Sequence, residues 1–281
     1  MTLMAVINLV LSALFFSLNT IWWVTLLTPV ALVKLLVPVP AVRKACTAWI
    51  TAIAHRFNRC NVWWLERINP VQWRITVDAP LSPSGWYLLV CNHQSWVDIL
   101  VLQKVFTPRI PLLKFFIKRE LIYVPFLGFA WWALDFPFMR RKGGASAKKD
   151  LQAARAACEK FRHMPTSVIS FLEGTRFTPQ KHAEQHAPYA HLLKPKTGGI
   201  SMALETMGDM FTSVLDVTIA YPQGVPTFTD LMAGRVREVV VHVRALPVPM
   251  IVVPRNYVPQ SEALFSTGQV PIVESETPEA P

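Results

Sequence analysis

No charged residue occurs between Thr2 and Val33, and the run is predominantly apolar; Lys34 is its first charge, and Pro38 and Pro40 close it. A helix crosses hydrocarbon in about 20 residues, so this run predicts one tilted membrane span. Asn19 near its middle and Pro29 further on leave a second possibility open, a helical hairpin dipping into one leaflet. A secretory signal would need a basic start and a shorter apolar core. Residues 45–68 repeat apolar positions at helical spacing (Trp49, Ile50, Ile53, Phe57), with Trp63 and Trp64 among basic residues. That pattern predicts an amphipathic helix lying at a membrane interface or packed on a core.

Alternation over Gln72 to Asp78 predicts a strand. Pro80 to Gly85 has turn chemistry, and Trp86 to Cys91 predicts a buried strand. Helices are expected over 95–106, 150–162 and 200–207, and strands over 166–172, 214–221 and 236–244. The apolar stretch 121–139 is long enough to suggest another span, but Pro125, Asp135 and Pro137 argue for core or interfacial packing. Residues 178–191 are polar and predict an exposed loop. Beyond about 259 the chain is rich in Ser, Glu, Thr and Pro, which predicts disorder. Strands alternate with helices, so the expected class is α/β, a mixed sheet flanked by helices with an N-terminal membrane-anchoring helix or helical hairpin. The expected organisation is an anchor over 1–38, a basic interfacial helical segment over 39–70, a catalytic domain over 71–258 and a tail over 259–281.

Composition sharpens this reading. Of 281 residues 52% are hydrophobic and only 16% charged, against roughly a quarter charged in soluble domains. The net charge of +10 suits phosphate groups, and the hydrophobicity favours lipid over nucleic acid as their source. Arg43, Lys44, Arg56, Arg59 and Arg67 follow the anchor. The positive-inside rule puts that side in the cytoplasm. The expected location is a membrane, read as a bacterial inner membrane with the domain on its cytoplasmic side. Cys46, Cys60, Cys91 and Cys158 form no CxxC pair and suggest no disulfide framework. His182, His186 and His191 match no HExxH spacing, and neither metal nor cofactor is expected.

Three polar knots end apolar runs: Asn92 to Asp98, the pair Arg140 and Arg141, and Glu173-Gly174-Thr175-Arg176. In α/β sheets ligands bind beyond the carboxyl ends of strands. His93 with Asp98 is a candidate base with its orienting acid. Ser95-x-x-Asp98 is also a capping-box pattern, so the same carboxylate could serve a helix start. Five residues of ideal helix turn about 500°, which would point His93 and Asp98 about 140° apart. His93 must therefore sit in the turn before the helix and fold back on Asp98.

Taken together, the three knots resemble the glycerolipid acyltransferase family. Asn92-His93, four residues and Asp98 match its first motif in full. Phe171-Leu172-Glu173-Gly174-Thr175-Arg176 matches its third, with Leu172 where the family has proline. Phe138-Met139-Arg140-Arg141 fits the second with Arg141 as the family arginine, and the neighbouring Arg140 leaves the register open. Residues 194–198 resemble the sequence that follows the third motif. The fourth motif keeps only its closing Pro222, and with Leu172 this looks more like the lysocardiolipin acyltransferase subgroup.

The resemblance implies transfer of a fatty acyl chain from acyl-CoA or acyl carrier protein to the free hydroxyl of a lysophospholipid. The first acceptor to consider is 1-acyl-sn-glycerol-3-phosphate, giving phosphatidic acid. It implies His93 and Asp98 as catalytic residues and Arg141, Glu173, Gly174, Thr175 and Arg176 as substrate-binding residues. Glu173 would orient either the acceptor or an arginine. Implied partners are membrane lipids, the acyl donor and the lysolipid, with no nucleic acid. Acylation of lysophosphatidylglycerol or lysocardiolipin is the alternative within enzymes. A catalytically inactive, membrane-anchored lipid-binding protein is the alternative outside them.

Overall fold

The computed structural model describes residues 2–139, 145–196 and 198–248. Arg140, Arg141 and the expected tail after 259 therefore lie outside the described residues. In chain order the elements are α1 (Leu3–Leu36), α2 (Pro40–Ile68), β1 (Gln72–Asp78), β2 (Tyr87–Cys91), α3 (Val97–Phe106), β3 (Leu113–Phe115) and β4 (Ile117–Lys118). A 3-10 turn over Arg119–Tyr123 leads to α4 (Leu127–Ala133), β5 (Phe138–Met139), α5 (Ala145–Phe161) and β6 (Ser167–Phe171). The chain continues through α6 (Pro179–Gln185), α7 (Gly198–Met207), β7 (Ser213–Ala220), α8 (Phe228–Met232) and β8 (Glu238–Leu246).

Six strands form one sheet in the order β1-β8-β7-β2-β6-β3. β7, β2, β6 and β3 are mutually parallel, whereas β8 runs antiparallel to β7 and carries β1 parallel to itself. The sheet is thus mixed, as expected. β2 is buried at all five positions, the mark of a strand covered on both faces. Its side chains alternate across the sheet. Leu89 and Cys91 pack with Val101, Leu102 and Val105 of α3; Leu88 and Val90 pack with Cys158 and Phe161 of α5 and Ala203 of α7. This parallel core brings the carboxyl ends of β2, β6 and β7 to one edge.

α1 is continuous through Asn19 and Pro29, so the hairpin bend falls at residues 37–39 rather than within the apolar run. Its inner face is mostly apolar (Ala5, Val24, Leu27 and Ala31 are buried) but carries polar side chains that bond the domain. The Asn8 amide donates to the Ala233 carbonyl at 3.4 Å and the Ser12 hydroxyl to the Met232 carbonyl at 2.9 Å. Asn19 bonds Asn61 of α2 at 2.8 Å. At the far end Lys34 Nζ donates to the Ala133 carbonyl at 3.0 Å and pairs with Asp135. Leu3, Val10, Leu14, Leu18, Trp22 and Leu36 all face outward and exposed. The helix is thus apolar on its outer side as well as over most of its inner one, unlike an amphipathic helix of a soluble domain. By length and composition α1 can cross a membrane, and hydrogen bonds tie it to the domain near both ends.

One expectation needs revision and another gains detail. Residues 178–191 hold α6, started by the Thr178 hydroxyl accepting from the Lys181 N–H and by Pro179 in the first turn. The stretch 121–139 divides its roles. Ala133, Leu134 and Phe136 are buried against Leu27, Ala31 and Ile50, whereas Tyr123, Phe126 and Trp132 are exposed at 80%, 49% and 43%.

Candidate active site

β2 ends at Cys91, and the next residues form a turn that delivers Asp98 in the first turn of α3. His93 lies before the helix, as the helical angle requires. Its Nδ1 is 2.8 Å from Asp98 Oδ2. The same oxygen accepts the Gln94 N–H at 2.7 Å and the Ser95 N–H at 2.9 Å. Capping and orientation of the imidazole therefore share one oxygen. Oδ1 accepts the Tyr221 hydroxyl at 2.6 Å. Every group around this buried carboxylate is a donor, so Nδ1 presents its N–H and Nε2 keeps the lone pair. The His93 ring stacks on Phe171 with centroids 3.9 Å apart and 14° between planes.

β6 runs into the second turn, 172–177, which is hydrogen-bonded to the first. The Phe177 N–H donates to the His93 carbonyl at 2.8 Å. The His93 N–H donates to Glu173 Oε1 at 2.8 Å, and Glu173 Oε2 accepts the Leu193 N–H at 3.0 Å. Glu173 thus binds the main chain of two segments. Gly174 has φ +66, and a Cβ there would come within 2.9 Å of Lys196 Cδ; a side chain would meet both backbone strain and a neighbour. Thr175 Oγ1 accepts from Lys181 Nζ at 2.9 Å. Arg176 is exposed and its guanidinium carbon lies 5.2 Å from the Trp96 ring centroid, a cation–π contact. Leu172 has a specific use here: its N–H donates to the Cys91 carbonyl at 3.2 Å, a bond that proline cannot make.

The structure therefore brings together His93, Asp98, Glu173, Gly174, Thr175 and Arg176, and Arg141 lies outside the described residues. It adds Asn92, Trp96, Phe171, Lys181 and Tyr221, which sequence reasoning did not assign. Asn92 grips β7 by a pair of bonds, its amide donating to the Ile219 carbonyl and its oxygen accepting the Ile219 N–H, each at 2.8 Å. No local spacing links Tyr221 to Asp98, which stand 123 positions apart in the sequence.

The family model described as Acyltransferase matches residues 43–222. The chain belongs to the glycerolipid acyltransferase family. It is 27% identical over 202 residues to 1-acyl-sn-glycerol-3-phosphate acyltransferase delta of Rattus norvegicus, covering 66% of this chain and 51% of the relative. It is 28% identical over 202 residues to 1-acyl-sn-glycerol-3-phosphate acyltransferase 2 of Brassica oleracea, covering 64% and 50%. The chain spans about half the length of these curated relatives. Its fold is similar to the crystal structure of the 1-acyl-sn-glycerophosphate acyltransferase PlsC from Thermotoga maritima, with a TM-score of 0.57, 19% identity and 89% of each chain covered.

Burial pushes the Glu173 carboxyl up to about 7 from 4.5, against the opposing pull of the His93 and Leu193 N–H groups. A carboxyl whose folded value is raised contributes its full stability below its unfolded value and loses it as pH rises through the folded one. The stability of the wild type relative to Glu173→Gln should therefore fall between pH about 4.5 and about 7 and level off above. Denaturant titrations over that range measure this. Parallel pH dependence in the two proteins would remove the assignment.

Proposed function

We propose that the chain is an O-acyltransferase moving a fatty acyl group from the thioester of acyl-CoA or acyl carrier protein to the free hydroxyl of 1-acyl-sn-glycerol-3-phosphate. The observation that carries this reading is the short His93–Asp98 bond in a turn hydrogen-bonded to the turn of Arg176. An alcohol is a weak nucleophile until a base takes its proton. In this reading His93 Nε2 accepts the acceptor's hydroxyl proton as the oxygen attacks the thioester carbonyl. Asp98 holds the ring and stabilises the imidazolium. The tetrahedral intermediate then collapses, the C–S bond breaks, and the departing sulfur takes the proton back from His93. The nucleophile comes with the substrate, so no acyl-enzyme is required.

Arg176 supplies a planar fork for the acceptor phosphate, and Trp96 beneath it limits its motion. Lys181 adds positive charge beside it, and Arg141 keeps the phosphate-binding role implied by its motif. Gly174 lets the main chain come close to the headgroup. Glu173 acts through the backbone, holding His93 against the 192–193 segment. No cofactor or metal has a part in this scheme.

The membrane reading follows from α1. A helix fastened to the domain by Asn8, Ser12 and Lys34 and apolar on its outer side fits a seat within one leaflet. The exposed Trp49 and Trp63 of α2 would lie at its interface. The host membrane in this reading is a bacterial inner membrane, with the site on the cytoplasmic face.

His93→Ala should lower turnover by at least about a thousandfold with the fold intact, measured by thiol release from acyl-CoA with a panel of lysophospholipids. Full activity in this variant would remove the base assignment, and a wild-type preference for lysophosphatidylglycerol or lysocardiolipin would move the acceptor. Arg176→Ala should raise KM for lysophosphatidic acid about tenfold or more and leave that for the acyl donor nearly unchanged; equal acceptor constants would exclude the phosphate role. In sealed vesicles with the domain outward, an N-terminal tag should be cleaved by external protease. A protected tag would mean that α1 crosses the bilayer.

A further inference from the structure

Asp98 is 1% exposed, and its Oδ1 faces Tyr221, itself buried, at 2.6 Å. A buried carboxylate oxygen without a donor is costly, so this phenol has a structural value. Its placement suggests more. Tyr221 follows the last residue of β7, and that strand end is held by the pair of hydrogen bonds between Asn92 and Ile219. Asn92 belongs to the same turn as His93. The turn therefore grips β7 at Ile219, and β7 reaches back through Tyr221 to the carboxylate that orients His93. The ring formed by Asn92, Ile219, Tyr221, Asp98 and His93 fixes the carboxylate plane at both oxygens.

We infer that Tyr221 is a positioning residue for the proton transfer: its hydroxyl holds the Asp98 carboxylate and draws off part of its charge, and so sets both the aim and the basicity of His93. The inference rests on His93 being the base. A strong donor on Oδ1 weakens the carboxylate's pull on the Nδ1 proton. The same donor thereby weakens the carboxylate's help to the imidazolium, and its loss should strengthen that help. Burial first, and the Asp98 charge next, raise the Tyr221 phenol well above its usual range, so it remains a donor throughout the working range of pH.

The charged and titratable groups acting on the ring, or on Cys91 beside it, come from several elements. They are Cys91 at the end of β2, Glu173 after β6, Asp216 on β7 with its partner Arg244 on β8, and Lys181 of α6, which acts on Glu173. Arg176 lies over Trp96 on the adjoining turn. All are retained when only the phenol hydroxyl is removed, so the difference between wild type and Tyr221→Phe isolates that hydroxyl.

The test is the pH dependence of kcat/KM for purified Tyr221→Phe in detergent, with acyl-CoA and lysophosphatidic acid varied in turn. The expected result has three parts. Turnover falls about tenfold, both KM values stay within about twofold, and the acid limb moves to higher pH by about half a unit or more. An acid limb at the wild-type position or lower overturns the inference, whatever happens to kcat. If Tyr221→Phe fails to fold or turns over too slowly, a singly ring-fluorinated tyrosine is incorporated at position 221. It is a stronger donor of the same shape, and the limb should then move to lower pH; a limb that stays overturns the inference equally. His93→Gln, run alongside, separates the two levels. Activity in that variant removes the base assignment itself, whereas an inactive His93→Gln with an unmoved Tyr221→Phe limb removes only the role of Tyr221.

Discussion

A carboxylate taken out of water needs hydrogen bonds to stay charged. Asp98 receives four, from the His93 ring, two main-chain N–H groups and a phenol. Three of those donors lie in the turn after β2 and the fourth just beyond β7, while Asp98 itself sits in the first turn of α3. The carboxylate is thus where the turn, the helix and the strand meet, and the placement of His93 depends on all of them. Main-chain bonds at Gln94 and Ser95 shape the turn, the contact with His93 selects the tautomer, and the phenol fixes the far oxygen.

The second carboxylate, Glu173, does similar work one layer out. Its two oxygens join the His93 N–H to the Leu193 N–H, and the Phe177 N–H returns a bond to the His93 carbonyl. The two turns are therefore fixed to each other by their main chains. The side chains left to face a substrate, the His93 ring and the Arg176 guanidinium, are presented from one rigid support. That arrangement suits a reaction in which proton removal and grip of an anionic headgroup must occur on one molecule.

Much of this was legible from local pattern. The apolar runs placed β1, β2, β6, β7 and β8, and the helical angle put His93 in the turn ahead of Asp98. What was missed has physical reasons. β3, β4 and β5 have three, two and two residues, too few for a period to register. α6 was hidden because its polar residues pack little, and its start depends on Thr178 and Pro179. Tyr221 and Asn92 act across 123 and 127 positions of sequence, a distance at which no spacing rule speaks. Glu173 was expected to orient the acceptor or an arginine, and its bonds to two main-chain N–H groups were not foreseen because they join segments distant in sequence. Leu172 read as a departure from the family pattern, and its N–H proves to serve the β2–β6 edge.

The fastening of α1 has a consequence, within the proposed function, for how the protein would meet lipids. A domain joined to its helix at Ser12 and again at Lys34 has little freedom to swing away from the surface that holds the helix. With α1 seated in a leaflet, the height of His93 above the headgroups becomes a fixed dimension of the protein. In that reading the acceptor would arrive by lateral diffusion, and its effective concentration would be a surface density. Rates would follow the mole fraction of lysolipid in the membrane, and dilution with inert lipid would slow the enzyme even at constant bulk amounts of both.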